Sequence, residues 1–214
     1  MAANATNRIY TTIKQKILNG EYSPSEALIE SELANEFNVS RNTIKKALLM
    51  LENEYLVVTE PNRSAKVRSY SLNEVLEFLE VRTILESYIA KITTPVISES
   101  AIENLNYFLT QMRVKKEEQD LMGYSALNQK FHDQIYEACP NRTLINTTQQ
   151  LKSQMRKYNS KTILIPHRDE DSFKEHTNIY NAIKTRNADA AEKYMATHIQ
   201  NVRKTFQEYY HILF

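Results

Sequence analysis

The scarcity of glycine limits the fold of this chain more than any other feature. Gly20 and Gly123 are the only glycines among its 214 residues. Tight turns and strongly bent β-structure often need glycine where the backbone takes a positive φ, so a β-rich or doubly wound fold is disfavoured. Long helices with few tight turns agree better with this composition. We therefore expect a mainly α protein.

Composition also sets limits on size and location. A chain of 214 residues that is 42% hydrophobic can bury a core in one or two domains. No apolar run approaches the span of a bilayer, and the first ten residues lack the apolar region of a signal peptide. Cys139 is the single cysteine, which excludes an intrachain disulfide and a thiolate zinc cluster. We expect a soluble, cytoplasmic protein without a membrane partner.

Residues 1–70 are predicted to form a winged helix-turn-helix domain. Ile9, Ile13 and Ile17 define one helical face, and Gly20 follows where a C-terminal cap glycine belongs. The predicted elements are helices over 8–19, 30–37 and 40–53, a loop over 21–29, and a β-hairpin whose strands LVVT and AKVR flank the turn EPNRS. Three helices followed by a hairpin are the element order of a winged helix-turn-helix.

The third predicted helix begins with cationic residues, whereas the helix dipole favours acidic residues at this end. Ser40 can cap it, but the segment SRNTIKKAL carries three cations and no acid. The phosphates and base edges of a DNA major groove would supply the missing negative partners. We therefore predict DNA contacts by Ser40, Arg41, Asn42, Thr43, Lys45, Lys46 and, on the wing, Arg63. A solvated cationic face is the alternative, and it is the usual role of any one such residue taken alone.

Residues 71–214 show helical periodicity almost throughout and are predicted to form an antiparallel bundle of six helices. Pro95, Pro140 and Pro166 fall in gaps between helices. The predicted helices span residues 72–93, 98–118, 121–138, 141–158, 170–185 and 187–211.

Polar side chains interrupt the apolar inner faces of these helices. His132, His176 and His198 each face inward from a different helix, and Asn128 precedes His132 by one turn. Each histidine alone is most simply explained as a hydrogen-bonded core residue. Together they could bind a divalent metal, with Asn128 adding an oxygen or holding a ring or a water in place. Arg82 also faces inward and is predicted to bind an anionic group of a small effector, such as a carboxylate.

The motifs of the first 68 residues resemble the DNA-binding domain of the GntR family of transcription regulators. The family's VSRTPVREAL corresponds to VSRNTIKKAL, residues 39–48. Lys45 and Lys46 replace an arginine and an acid of that motif, and lysine lacks the bidentate fork of arginine, so a different operator is expected. Tyr55 stands at the family's glycine before the first wing strand, and Ser64 stands at the wing glycine.

Residues 71–214 resemble the FCD-type ligand-binding domain of the FadR subfamily, in its six-helix VanR-like branch. The matching segments are VRTILE (81–86), NQKFHDQIYEACPN (128–141), EHTNIYNAI (175–183) and DAAEKYMATHI (189–199). Metal-binding members usually have Asp where this chain has Asn128. The resemblance implies His132, His176 and His198 as ligands of Zn²⁺ or Ni²⁺, with a neutral amide in place of the carboxylate.

Three functions are compatible with these features. The leading hypothesis is a homodimeric transcription regulator, a repressor, which binds an inverted repeat in double-stranded DNA and responds to an organic acid in the domain over 71–214. The second is a hydrolase-like enzyme whose histidine-bound metal activates water. Against the enzyme, no carboxylate suited to act as a base is expected near the three histidines. The third is a DNA-binding protein that has lost its effector site.

Overall fold

The computed structural model describes residues 2–61, 63–159 and 162–213 of the chain. The chain divides into two compact units between Ser71 and Leu72, and each unit has its own apolar core. In the described residues, helices predominate and all strands lie in the first unit, so the prediction of a mainly α protein is confirmed. No helix within these described ranges is long and apolar enough to cross a membrane.

The first unit combines three helices with three short strands. They are α1 (Ala2–Asn19), β1 (Ala27–Leu28), α2 (Glu30–Glu36), α3 (Arg41–Asn53), β2 (Val57–Val58) and β3 (Ala65–Val67). The predicted face of α1 is buried at Ile9, Ile13 and Ile17. Gly20 ends the helix at φ 82°, and its amide donates to the Ile17 carbonyl at 3.1 Å. The helix begins earlier than predicted, because its first turns have no apolar periodicity.

The strands form one antiparallel sheet in the order β1-β3-β2. The predicted hairpin is confirmed as β2 and β3, but the loop predicted over residues 21–29 is wrong at Ala27 and Leu28, which form β1. A strand of two residues is too short to show alternation in the sequence. It exists because β3 provides an edge for pairing, where the Val67 amide donates to the Glu26 carbonyl at 2.9 Å.

Tyr55 takes the left-handed backbone conformation between α3 and the wing, at φ 59°. This conformation costs a non-glycine residue about 1 kcal/mol, so glycine would be favoured at this position. Tyr55 is held by its neighbours. Its carbonyl accepts a hydrogen bond from the Tyr70 hydroxyl at 3.1 Å, and the Arg68 guanidinium lies 5.8 Å from its ring centre and 4.9 Å from that of Tyr70. The wing therefore keeps its entry turn without glycine.

The second unit contains the six predicted helices, each within a few residues of its predicted bounds. They are α4 (Leu72–Thr93), α5 (Glu99–Glu117), α6 (Leu121–Glu137), α7 (Arg142–Asn159), α8 (Arg168–Lys184) and α9 (Ala188–Leu213), with a 3₁₀ turn at Thr162–Leu164. Asp120 caps α6 by accepting the Gly123 amide at 2.8 Å. A Cβ atom at Gly123 would lie 2.3 Å from the Asp120 carboxylate, so a larger residue there would require the Asp120 side chain to shift.

The apolar core of the second unit is broken on one side by polar side chains. Large residues such as Tyr124, Phe131 and Ile135 of α6 are completely buried. Charged and imidazole groups are buried beside them at Arg82, Glu86, His132, His176 and His198. Such groups are seldom buried without a partner, because removing them from water is costly. Their partners define the candidate site.

Candidate functional site

The N-terminal half of α3 presents a cationic surface to solvent. Ser40 caps the helix by accepting the Thr43 amide at 3.2 Å, and the two side-chain oxygens lie 2.8 Å apart. The first turn contains no acidic residue. The exposed side chains of this surface are Arg41, Asn42, Lys45 and Lys46. Six of the seven residues predicted to bind DNA thus lie together at one helix N-terminus, where backbone amides also favour an anion.

Arg63, the seventh residue, lies in the connection between β2 and β3. Its guanidinium pairs with Glu60 at 2.7 Å, and the two side chains are 67% and 49% exposed. An ion pair this exposed contributes little to stability. Exchanging this ion pair for a contact between Arg63 and a phosphate would therefore cost little free energy.

Three buried histidines meet inside the second unit. His132 of α6, His176 of α8 and His198 of α9 each offer one ring nitrogen, and these atoms lie within 4.8 Å of one another. The Nε2 atoms of His132 and His176 are 3.1 Å apart. Burial, followed by the neighbouring His198, lowers the pKa of His176 to about 3, and burial also lowers the pKa values of His132 and His198. All three rings are therefore neutral near pH 7.

Hydrogen bonds on the outer side orient two of these rings. His176 Nδ1 lies 2.6 Å from the Ser172 carbonyl, which can only accept, so this nitrogen carries the proton. His198 Nδ1 lies 2.6 Å from Glu175 Oε2. Burial opposes ionisation of Glu175, but His198 and Arg168 together hold its pKa at about 2. In both rings Nε2 keeps its lone pair, which is the form that binds a metal.

Two polar atoms beside the cluster have no hydrogen-bond partner among the described residues. They are Asn128 Oδ1 and His132 Nδ1, both shielded from solvent. When the His132 proton is on Nε2, where it can be donated to His176, Nδ1 is left as an unpaired acceptor. With its proton on Nδ1 instead, which faces Glu86 Oε2 at 3.9 Å, His132 would offer the Nε2 lone pair as a metal ligand. The donor set of three imidazoles and one amide oxygen therefore fits a divalent metal.

A buried ion pair lies next to the cluster. Arg82 Nε donates to Glu86 Oε1 at 2.6 Å, within one turn of α4. Glu86 also accepts a hydrogen bond from the Tyr136 hydroxyl, which in turn accepts one from Lys152 Nζ at 2.9 Å. Burial opposes ionisation of Glu86, but Arg82 and Lys152 hold its pKa at about 2. Burial lowers the pKa of Lys152 to about 8, although Glu86 opposes this shift.

These groups line a cavity of about 480 Å³ in the second unit. This volume is in the range of small-molecule sites. Its wall includes Arg82, Asn128, His132, Lys152 and His198. His176 lies behind His132 and is completely buried. Four of the five residues predicted to bind metal or effector thus line one cavity, and the fifth, His176, contacts His132 from inside the core.

The profiles of two protein families match the chain. The profile described as bacterial regulatory proteins, gntR family, matches residues 5–67, and that of the FCD domain matches residues 77–201. The chain belongs to the GntR family. It is an FCD-type, FadR-like member, and therefore a DNA-binding transcription regulator with a C-terminal effector domain. The family consists of regulators rather than enzymes, so the hydrolase alternative is set aside.

Named relatives agree with this assignment. The Uxu operon regulator of Haemophilus influenzae is 32% identical and aligns over 94% of this chain and 82% of its own length. The galactonate operon transcriptional repressor of Escherichia coli is 24% identical, over 97% of this chain and 99% of its own. The solved structure of E. coli McbR/YncC has the same fold, with a TM-score of 0.76 at 19% identity over 96% of this chain and 98% of that one.

Two carboxylates lie near the histidines of this GntR-family regulator. Glu175 contacts His198 at 2.6 Å, and Glu86 lies 3.9 Å from His132. Neither is suited to act as a base near neutral pH. Each is paired with a buried arginine, and both pKa values are about 2.

Several residues of the site were not predicted from the sequence. They are Glu86, Tyr136, Lys152, Arg168 and Glu175. Glu86 and Tyr136 fall on inward faces, so their positions gave a usable signal. Lys152 lies on α7, whose polar surface gave no indication which side chain meets the cavity.

We expect the metal-free regulator to lose stability as the pH falls from 7 to 5. Folding lowers the pKa of His176 to about 3, and also lowers those of His132 and His198, from an unfolded value of 6.5. Below pH 6.5 the unfolded chain therefore binds more protons than the folded chain. His176 should therefore remove up to about 1.4 kcal/mol of unfolding free energy per pH unit below its unfolded pKa, and His132 and His198 should add to the loss in the same direction.

Urea unfolding of chelator-treated protein at pH 7, 6 and 5 measures this slope. The His176→Asn variant should show a shallower slope, and His211→Asn, at an exposed position, should keep the wild-type slope. Glu86 and Glu175 contribute little in this window, because their stabilisation is lost below an unfolded pKa of 4.5. Equal slopes for the three proteins would contradict the prediction.

Proposed function

We propose that this protein is a cytoplasmic homodimeric repressor that binds an inverted-repeat operator and responds to a small organic acid, held in the FCD domain together with a divalent metal. The convergence of three neutral imidazoles at the cavity is the observation that carries the proposal. One proton can lie between His132 and His176, but a cation would satisfy the inward lone pairs of all three rings together.

The proposed metal ligands are Asn128, His132, His176 and His198. A set rich in imidazole suits Zn²⁺ or Ni²⁺ better than Mg²⁺ or Ca²⁺. Two of the ligands are oriented by hydrogen bonds that they donate, from His176 Nδ1 to the Ser172 carbonyl and from His198 Nδ1 to Glu175. When bound, such a metal would supply a Lewis-acid site for an oxygen of the effector. Because all four side chains are neutral, the full charge of the cation would remain available to an anion.

An organic acid is the proposed effector class. Arg82 lies in the cavity wall, and its charge would favour a carboxylate near the metal ligands. The name of one relative refers to the galactonate operon, and galactonate is an organic acid. To regulate DNA binding, the acid must bind one conformation of the protein more tightly than another, because equal affinity for both would leave the conformational equilibrium unchanged.

The DNA surface proposed for α3 would enter the major groove from its N-terminus. Arg41 and Asn42 are suited to base edges, while Lys45 and Lys46 are suited to phosphates or bases. Ser40 and Thr43, which bond each other and cap the helix, would fix its first turn and offer hydroxyls to the backbone. Arg63 would contact the minor groove or the backbone from the wing.

A second copy of the chain is the proposed partner in solution. The exposed side of α4 carries Val81, Ile84 and Tyr88 at helical spacing, with exposed fractions of 44%, 66% and 49%. Such a stripe at i, i+3 and i+7 suits packing against another helix. A two-fold dimer would also match the symmetry of an inverted repeat.

The proposed metal site predicts that two substitutions have opposite effects on metal binding. Purified without a histidine tag, the wild type should contain about one Zn²⁺ or Ni²⁺ per chain by elemental analysis, and His132→Ala should contain none. Asn128→Asp restores a charged ligand and should tighten binding at least about 10-fold in competition with a chelator. His211→Asn is the control. A wild type that binds neither metal when both are supplied would reject the metal site.

The proposed DNA-binding surface predicts that Arg41 and Lys45 contribute to DNA binding in different ways. A probe is first selected from random-sequence duplexes with the purified protein. Arg41→Ala should weaken binding about 10- to 100-fold and relax base preference, whereas Lys45→Ala should weaken all sequences and reduce the salt slope by about one. Fluorescence anisotropy over a salt series measures both. Lys204→Ala, at an exposed position of α9, should behave as wild type, and equal losses in all three would contradict the interface.

If α4 forms the dimer interface, a charge added to its exposed apolar side should lower the mass of the protein in solution. Ile84→Glu should convert the dimer to a monomer in light scattering after gel filtration, because a carboxylate would be buried against apolar residues. Val96→Glu, also at an exposed apolar position but in the α4–α5 connection, should remain dimeric. A dimeric Ile84→Glu protein would place the interface elsewhere.

A further inference from the structure

Lys152 has unused hydrogen-bonding capacity in the cavity wall. Its ammonium donates one hydrogen bond, to the Tyr136 hydroxyl at 2.9 Å, and lies 4.5 Å from the centre of that ring. Within the described part of the chain, its nitrogen has no carboxylate within ion-pairing distance. An ammonium has three N–H donors. Two of them remain for a ligand in the cavity.

The two arginines of the wall are in a different position. Arg82 pairs with Glu86 at 2.6 Å, and Arg168 pairs with Glu175 at 2.8 Å, so each guanidinium faces a buried carboxylate. Both carboxylates have further partners of their own in the core. Lys152 is thus the cation of the wall whose charge is not met by a direct ion pair.

The acids closest to Lys152 do not replace such a partner. Glu86 is reached through the Tyr136 hydroxyl, and Asp133 accepts a hydrogen bond from Gln129 at 2.7 Å. Both acids act on Lys152 from beyond contact distance, and burial still lowers its pKa to about 8. A strongly perturbed pKa in a cavity often marks a functional residue. An anion bound to Lys152 would offset the cost of burying this charge.

Most of the other side chains that line the cavity carry a polar group. Among the described residues that line the cavity, purely apolar side chains are Met122, Ala126, Ile163 and Val202. Hydroxyl and amide side chains line it at Ser125, Gln129, Gln149, Ser153 and Thr162. Small-molecule sites are usually lined mainly by apolar groups. This wall therefore suits a ligand that carries hydroxyl groups.

We propose that Lys152 binds the carboxylate of the effector and that the effector is a polyhydroxylated acid. The inference rests on the proposed function for the existence of an effector in this cavity. It adds a second cation beside Arg82 and narrows the ligand class, since the hydroxyl groups of such an acid would exchange hydrogen bonds with the amide and hydroxyl side chains of the wall.

Calorimetric titration with three sugar acids, D-gluconate, D-galactonate and D-glucuronate, tests this proposal. The neutral alcohols D-glucitol and galactitol serve as matched ligands without the carboxylate. At least one acid should bind the full-length wild type, and the alcohols should not. Lys152→Gln should weaken that acid about 10- to 100-fold, the usual effect of losing a hydrogen bond to a charged group. Lys152→Arg should lose less, and Lys130→Gln, an exposed lysine of α6, should bind as wild type.

Metal content and affinity for the selected DNA are measured on the same samples. Loss of acid binding in Lys152→Gln, with both other properties retained, would support the proposal and exclude misfolding. Wild-type affinity in Lys152→Gln, or no binding of any acid to a wild type that holds DNA, would overturn it. Acid binding that depends on Lys152 in a protein without metal would support Lys152 while rejecting the metal site of the proposed function.

Discussion

The buried ion pair between Arg82 and Glu86 is the interaction on which the cavity depends. The two groups lie 2.6 Å apart on α4 with side-chain exposures of 6% and 0%. Removing one partner of such a pair typically costs about 3 to 5 kcal/mol, because the other charge is left in a poorly solvating environment. Glu86 also accepts from Tyr136 on α6, and Tyr136 accepts from Lys152 on α7. One carboxylate thus links three helices and permits a polar cavity inside an apolar bundle.

A second buried carboxylate has a parallel role on the other side of the histidines. Glu175 neutralises Arg168, orients His198 and accepts from Asn201 at 2.7 Å. The two units of the chain therefore use charge in opposite ways. On α3, cations are exposed and uncompensated, which favours a distant, highly charged partner such as DNA. At the cavity of the FCD domain, by contrast, the arginines are paired with carboxylates inside the protein, which favours a small ligand that fits the remaining polar groups.

Much of the fold could be predicted from periodicity, because the burial of one helix face leaves a regular pattern of apolar residues. The six helices of the second unit and the three histidines were predicted in this way, and the inward positions of His132, His176 and His198 are confirmed. Strand β1 could not be predicted, since its two residues depend on pairing with β3. Lys152 could not be predicted either, because its role depends on contacts between helices that are distant in sequence.

The amide at Asn128 has an evolutionary consequence. Codons for asparagine and aspartate differ in a single base, so one transition would convert this neutral donor set into the acidic set usual among metal-binding relatives. The hydrogen bonds that orient His176 and His198, to Ser172 and Glu175, do not involve this position. If the proposed metal site exists, a single nucleotide change would therefore alter the charge of its ligands without rebuilding the fold.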